Sequence, residues 1–205
     1  MAIFIDNLAY ALFVISFAGF MLLYTIISIY LNYLRKGKDF TEYVKAATIP
    51  LSVLALYMII SGFWGQFTWP LPGSYNILFY DPFISFGLII FAFVMSIRYN
   101  TKISFVGFLS LMIGVMVIIY GIVGYNVGLT SAPLALLGMY FMYGIAAILG
   151  YPVSFILETK PGIKKEVWKG WSILLGLFIL FLFIGSCLAA FVGISAIPAH
   201  LFSAP

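Results

Sequence analysis

Charge is what this sequence has least of. Among 205 residues only ten are Lys or Arg and six are Asp or Glu, while 64% are hydrophobic. A soluble domain carries about a quarter charged residues. The 8% found here excludes a sizeable soluble domain and a nucleic-acid binder. The single cysteine, Cys187, cannot close an internal disulfide, which excludes a stapled secreted module. The single histidine, His200, lies in the outer tail and leaves no imidazole pair for haem or for the usual copper and zinc sites. Phosphate loops, nucleophile elbows and metal motifs are missing as well. The sequence therefore leads us to expect no metal, no cofactor and no enzymatic chemistry carried by this chain alone.

Long apolar runs are what remains. They predict an all-α membrane protein: a six-helix transmembrane bundle forming one domain over residues 1–205. The spans run from about Leu8 to Leu34, Val44 to Gly65, Pro82 to Tyr99, Ile103 to Gly124, Pro133 to Leu157 and Trp168 to Gly193. Each reaches the roughly 18 residues needed to cross a hydrocarbon core. The alternation of about ten residues that marks a barrel strand is absent. The first run does not read as a cleaved signal, because Asp6 precedes it with no Lys or Arg and it is too long.

The basic residues orient the bundle. Arg35, Lys36, Lys38 and Lys45 lie between spans one and two, and Arg98 and Lys102 between three and four. Lys160, Lys164, Lys165 and Lys169 lie between five and six. All ten fall on one side, which the positive-inside rule makes cytoplasmic. The N-terminus and C-terminus are then both outside, in a multi-pass protein of the cell membrane. Asp39, Glu42, Glu158 and Glu166 share the inner loops, and Asp6 and Asp81 stand outside. No charged residue is expected at mid-membrane depth, where such groups mark ion pathways and proton relays. That argues against a pump or a proton-coupled carrier. Met112 with Met116, and Met139 with Met142, read as gap-filling packing rather than copper ligands. Cys187 reads as a small buried residue, since nothing near it in sequence would activate the thiol.

Small residues recur at helical spacing. Gly107, Gly114, Gly121 and Gly128 are seven apart along span four, and Gly185, Ala189 and Gly193 are four apart along span six. Such stripes let membrane helices approach closely, either within the bundle or against a partner protein. Spans two and four end in Gly62-Phe63-Trp64-Gly65 and Gly121-Ile122-Val123-Gly124. Spans three and five open with Pro82 then Gly87 and Pro133 then Gly138. A pair of parallel hairpin repeats would account for both.

The outer segment from Gly62 to Pro82 holds two of the four Trp. Trp64, Gln66, Thr68, Trp69, Tyr75, Asn76 and Asp81 are its candidate binding residues, lining a pocket or a docking edge. The bland reading is an interfacial aromatic belt on a rigid connector. Leu71-Pro72-Gly73-Ser74 suits a type II turn, and Asp81 before Pro82 suits a cap on span three. Pro82 itself is expected in the first turn, where a missing N–H costs nothing.

The run Thr68-Trp69-Pro70-Leu71-Pro72-Gly73-Ser74-Tyr75-Asn76-Ile77-Leu78-Phe79, followed by Asp81-Pro82, resembles a family of small integral membrane proteins known as domain of unknown function nine-eight-one. That family is found mainly in archaea, with some members in bacteria; the resemblance implies a membrane location and supplies no catalytic residues. Tyr80 stands where that family's pattern carries glycine.

Three functions fit these observations. The first is a non-catalytic integral subunit of a larger membrane complex, such as a respiratory one, partnered by lipid bilayer and other membrane subunits. The second is a stand-alone binding or transport module for a small neutral or lipid-like molecule. The third is a membrane enzyme acting on lipid or quinone, with Asp81 as its only acidic candidate.

Overall fold

The computed structural model describes residues 7–34, 40–130, 132–158 and 168–203. Among them the secondary structure is helical. Helix α1 (Asn7–Ser28) runs on into a π-helical stretch, Ile29–Leu34. It is followed by α2 (Phe40–Thr68), α3 (Tyr75–Arg98), α4 (Ser104–Val127), α5 (Pro133–Leu157) and α6 (Trp168–Ser203). All six are long and apolar enough to cross a membrane. Backbone groups in hydrocarbon must be satisfied within the segment, which is why apolar chain of this length becomes helix.

Which side chains point outward also fits lipid. Tyr24, Ile60, Phe105, Leu134 and Phe191 are exposed, and Phe67 is 85% exposed. Ser16, Thr25, Asn76 and Ser186 are buried. Polar side chains turned inward and large apolar ones turned outward suit a lipid surround, where only the interior offers polar partners. This is a multi-pass membrane protein.

The helices form a closed ring. Each packs on its neighbours in chain order, and α6 returns to α1. The α3–α4 seam is the sparsest of the ring and α4–α5 the densest. Glycine explains the dense seam. A Cβ at Gly107 would meet Ser154, one at Gly114 would meet the Gly144 carbonyl oxygen at 2.6 Å, and one at Gly121 would meet the Tyr140 Cβ at 2.6 Å. The stripe on α4 is thus filled by α5. On α6, Gly185 lies against Tyr143 of α5, Gly193 against Ala9 and Leu12 of α1, and Ala189 is fully buried. The small residues serve packing within the bundle. Gly128 is the exception, because it leaves the stripe and ends α4 in a left-handed conformation, φ +68°. Its N–H reaches the Tyr125 carbonyl, as glycine does after a helix.

Several sequence boundaries move. Helix α3 begins at Tyr75, two turns ahead of the expected Pro82, and α2 persists to Thr68, beyond the expected Gly65. The outer loop therefore shrinks to residues 69–74. Asp81 and Pro82 lie inside α3, so Asp81 is not its cap; that position belongs to Ser74. Pro133 does open α5, so the two prolines of the proposed repeat occupy unlike places. Helix α6 runs ten residues past Gly193, to Ser203. Arg35, Lys36, Lys38, Asp39, Asp6, Lys160, Lys164, Lys165 and Glu166, on which much of the orientation rests, lie outside the described residues.

Candidate functional site

The outer ends of α2 and α3 are tied by polar side chains. Asn76 is fully buried in the first turn of α3. Its Nδ2 donates to the Gly65 carbonyl at 3.0 Å, and its Oδ1 accepts from the Leu71 N–H at 3.3 Å. One side chain thereby fixes both the end of α2 and the middle of the connector. Within that connector Trp69 takes φ +50° and Gly73 φ +52°. The left-handed conformation is easy for glycine and costly for tryptophan. Trp69 is held there by its N–H donating to the Gly65 carbonyl at 3.0 Å and by Pro70, which cannot extend a helix. The hydrogen-bonded turn closes between the Pro72 carbonyl and the Tyr75 N–H, one residue later than the sequence suggests.

Asp81 accepts from two helices. Gln66 Nε2 of α2 donates to Oδ1 at 2.5 Å, and the Tyr120 hydroxyl of α4 donates to Oδ2 at 2.5 Å. A carboxylate inside a span is expensive unless partnered. Here the partners are supplied, and they bridge α2, α3 and the sparse α3–α4 seam. Asp81 corrects the expectation that acidic groups stay outside the spans.

Pro82 adds a second tie. A proline inside a helix has no N–H for the carbonyl four residues back. That carbonyl belongs to Leu78, and the buried Tyr140 hydroxyl of α5 donates to it instead.

Beside these ties lies a hollow between α1, α3, α4 and α5. Leu8, Ala11, Leu12 and Ile15 of α1 form one wall, and Phe79, Tyr80, Pro82, Phe83 and Phe86 of α3 form the facing one. Val117, Met139, Tyr140, Tyr143, Leu71 and Asn7 complete the lining. The phenolic oxygens of Tyr140 and Tyr143 are turned to backbone and Ser186 partners, so the walls offer rings and alkyl groups. The space open to the centre of a water-sized sphere is about 40 Å³.

The seven outer-segment candidates divide. Asn76, Gln66 and Asp81 are drawn inward as ties, and Tyr75 stacks on Phe79 at 5.9 Å between ring centroids. Trp64, Thr68 and Trp69 are exposed, and Thr68 Oγ1 donates to the Trp64 carbonyl at 2.7 Å. None of the seven lines the hollow. Sequence reasoning missed its walls, although Phe79, Phe83 and Phe86 stand at i, i+4 and i+7, one face of a helix. It also missed Glu158, whose Oε1 accepts from the Ser104 N–H at 2.7 Å and so caps α4 from the end of α5.

One family model, described as Protein of unknown function (DUF981), matches residues 1–203. Neither the curated proteins nor the solved structures include a match to the chain.

Proposed function

The chain belongs to the DUF981 family, whose description assigns no activity, and from that premise we propose that it is a membrane binding or transport module for a small, neutral, apolar molecule. The observation that carries this reading is the hollow between α1, α3, α4 and α5, walled by aromatic and aliphatic side chains. Its size limits the ligand. The space open here, about 40 Å³, is well below the roughly 150 Å³ of an apolar cavity that takes benzene, which suits a ligand of a few heavy atoms. Apolar cavities of this kind stay dry and take up apolar gases such as xenon. The reading is non-catalytic: the carboxylate of Asp81 is occupied by Gln66 and Tyr120 and does not face the hollow.

Bound xenon is the direct test. Detergent-solubilised protein is expected to give a bound-xenon resonance in saturation-transfer NMR. Ala11→Leu, which adds a side chain to the wall of this hollow, is expected to weaken that signal while leaving the thermal midpoint within a few degrees. A signal unchanged by Ala11→Leu would overturn the reading.

The alternative of a subunit in a larger membrane complex rests on the exposed aromatic collar of Trp64, Phe67 and Trp69. The small-residue stripes no longer speak for it, because they meet the chain's own helices. Native mass after mild extraction separates the two: a particle larger than the 22.8 kDa chain in detergent favours the complex. We also place the protein in the cell membrane with the Arg98–Lys102 turn cytoplasmic, on the basis of the one-sided distribution of Lys and Arg.

A further inference from the structure

The outer hollow does not end blindly. A second hollow of about 50 Å³ lies deeper and shares Ile15, Phe86 and Tyr143 with the first as common wall. A third of about 60 Å³ follows, sharing Leu22, Ile89, Ser110 and Phe178 with the second. At its far end Ile103 and Leu157 separate it from a wider space of about 180 Å³, lined by Ser96, Asn100, Thr101 and Glu158. Along α3 the series descends from Phe79 through Phe86 to Phe93. At ~1.5 Å per residue that is roughly 21 Å of the helix.

The side-chain hydroxyls beside this series, Ser110, Tyr143 and Ser154, have hydrogen-bond partners within the bundle. Ser110 Oγ donates to the Ala147 carbonyl at 2.7 Å. The Tyr143 hydroxyl lies 3.4 Å from both the Ile15 carbonyl and Ser186 Oγ. What faces the space is ring and alkyl surface, with Phe86 and Tyr143 in contact at 5.3 Å between centroids where the first hollow gives way to the second.

We propose that the three hollows are a file of sites for small uncharged apolar molecules, occupied one after another along the bundle interior, with the Phe86–Tyr143 ring pair as the partition between the first and second. This rests on the reading of the outer hollow as a binding site and extends it inward. Water is disfavoured by the apolar walls, and the volume of each hollow limits its occupant to a few heavy atoms. The polar space beside Asn100 and Glu158 marks the opposite end of the file.

Xenon mapping tests it. Crystals of the full chain pressurised with xenon are expected to show separate peaks in all three hollows. In Ala147→Leu, which adds a side chain to the second hollow, the middle peak is expected to disappear and the outer and inner peaks to remain. Xenon confined to the outer hollow overturns the file and leaves the binding reading standing. Xenon in none of the three overturns both. A middle peak that survives Ala147→Leu overturns the assignment of the second site. Should that variant fail to fold, the map of the unsubstituted protein decides by itself.

Discussion

The Tyr140 hydroxyl donates to the Leu78 carbonyl, the group that Pro82 cannot serve because it has no N–H. A tyrosine on α5 thus completes the backbone hydrogen bonding of α3. The defect and its repair lie 58 residues apart in sequence but adjoin in space, and both residues also wall the outer hollow.

Tyr140→Phe should therefore cost about 1–3 kcal/mol, the penalty for a buried carbonyl left unsatisfied. Pro82→Ala restores an N–H four residues after Leu78, so it should rescue Tyr140→Phe. The check is a double-mutant cycle on thermal or denaturant unfolding in one detergent. A coupling near zero would show that the two substitutions act independently.

Tyr120→Phe removes one donor to Asp81 at the sparse α3–α4 seam. Interhelical hydrogen bonds in membranes average about 0.6 kcal/mol and reach about 1.7, and a loss toward the upper end is expected here. Gln66→Leu should add to it, since Gln66 serves the other carboxylate oxygen. Unfolding midpoints of the single and double variants provide the comparison.

Gly114→Ala places a methyl group 2.6 Å from the Gly144 carbonyl oxygen, a backbone atom that moves only with α5. Overpacking of this sort costs about 1–3 kcal/mol. Gly176→Ala on α6 meets nothing within 4 Å and should be neutral or stabilising by up to about 1 kcal/mol through helix propensity. Opposite signs in the two midpoints are the expected result.

Asn76→Ala frees the Leu71 N–H and removes one of the two donors to the Gly65 carbonyl. The connector 69–74 should loosen while the helices hold. Hydrogen exchange followed by mass spectrometry should show faster exchange at Leu71, by about tenfold or more, with α4 and α5 unchanged.

The orientation is checked by cysteine accessibility. In a Cys187→Ser background, Ser74→Cys should react with a membrane-impermeant maleimide in intact cells. Thr101→Cys should react only after the membrane is opened. Both positions are exposed, so the contrast reads sidedness rather than burial.

The existence of six helices was legible from apolar length, and α5 from its opening Pro133 to Leu157. The start of α3 was not. Asp81 and Pro82 carry the local marks of a helix beginning, and each is tolerated inside α3 only because Gln66, Tyr120 and Tyr140 reach it from other helices. No local pattern announces a partner so far along the chain. The hollow was half legible: its α3 wall follows a helical repeat of Phe79, Phe83 and Phe86. Its α1 wall was hidden, because α1 is apolar on every side and one face cannot be told from another. The glycine stripe on α4 was visible, but only packing could say that α5 fills it.

Ser16 Oγ donates to the Ser186 carbonyl at 2.9 Å, across 170 positions, where α6 meets α1. That contact gives the ring an order of assembly. Synthesis delivers α1 first and α6 last of the six, at about 5–20 residues per second. Until α6 is made, roughly ten to thirty seconds after α1, the Ser16 hydroxyl and the notch at Gly19 are without their Ser186 partner. The last helix is therefore the latch: it joins α5, made just before it, to α1, which has waited the longest.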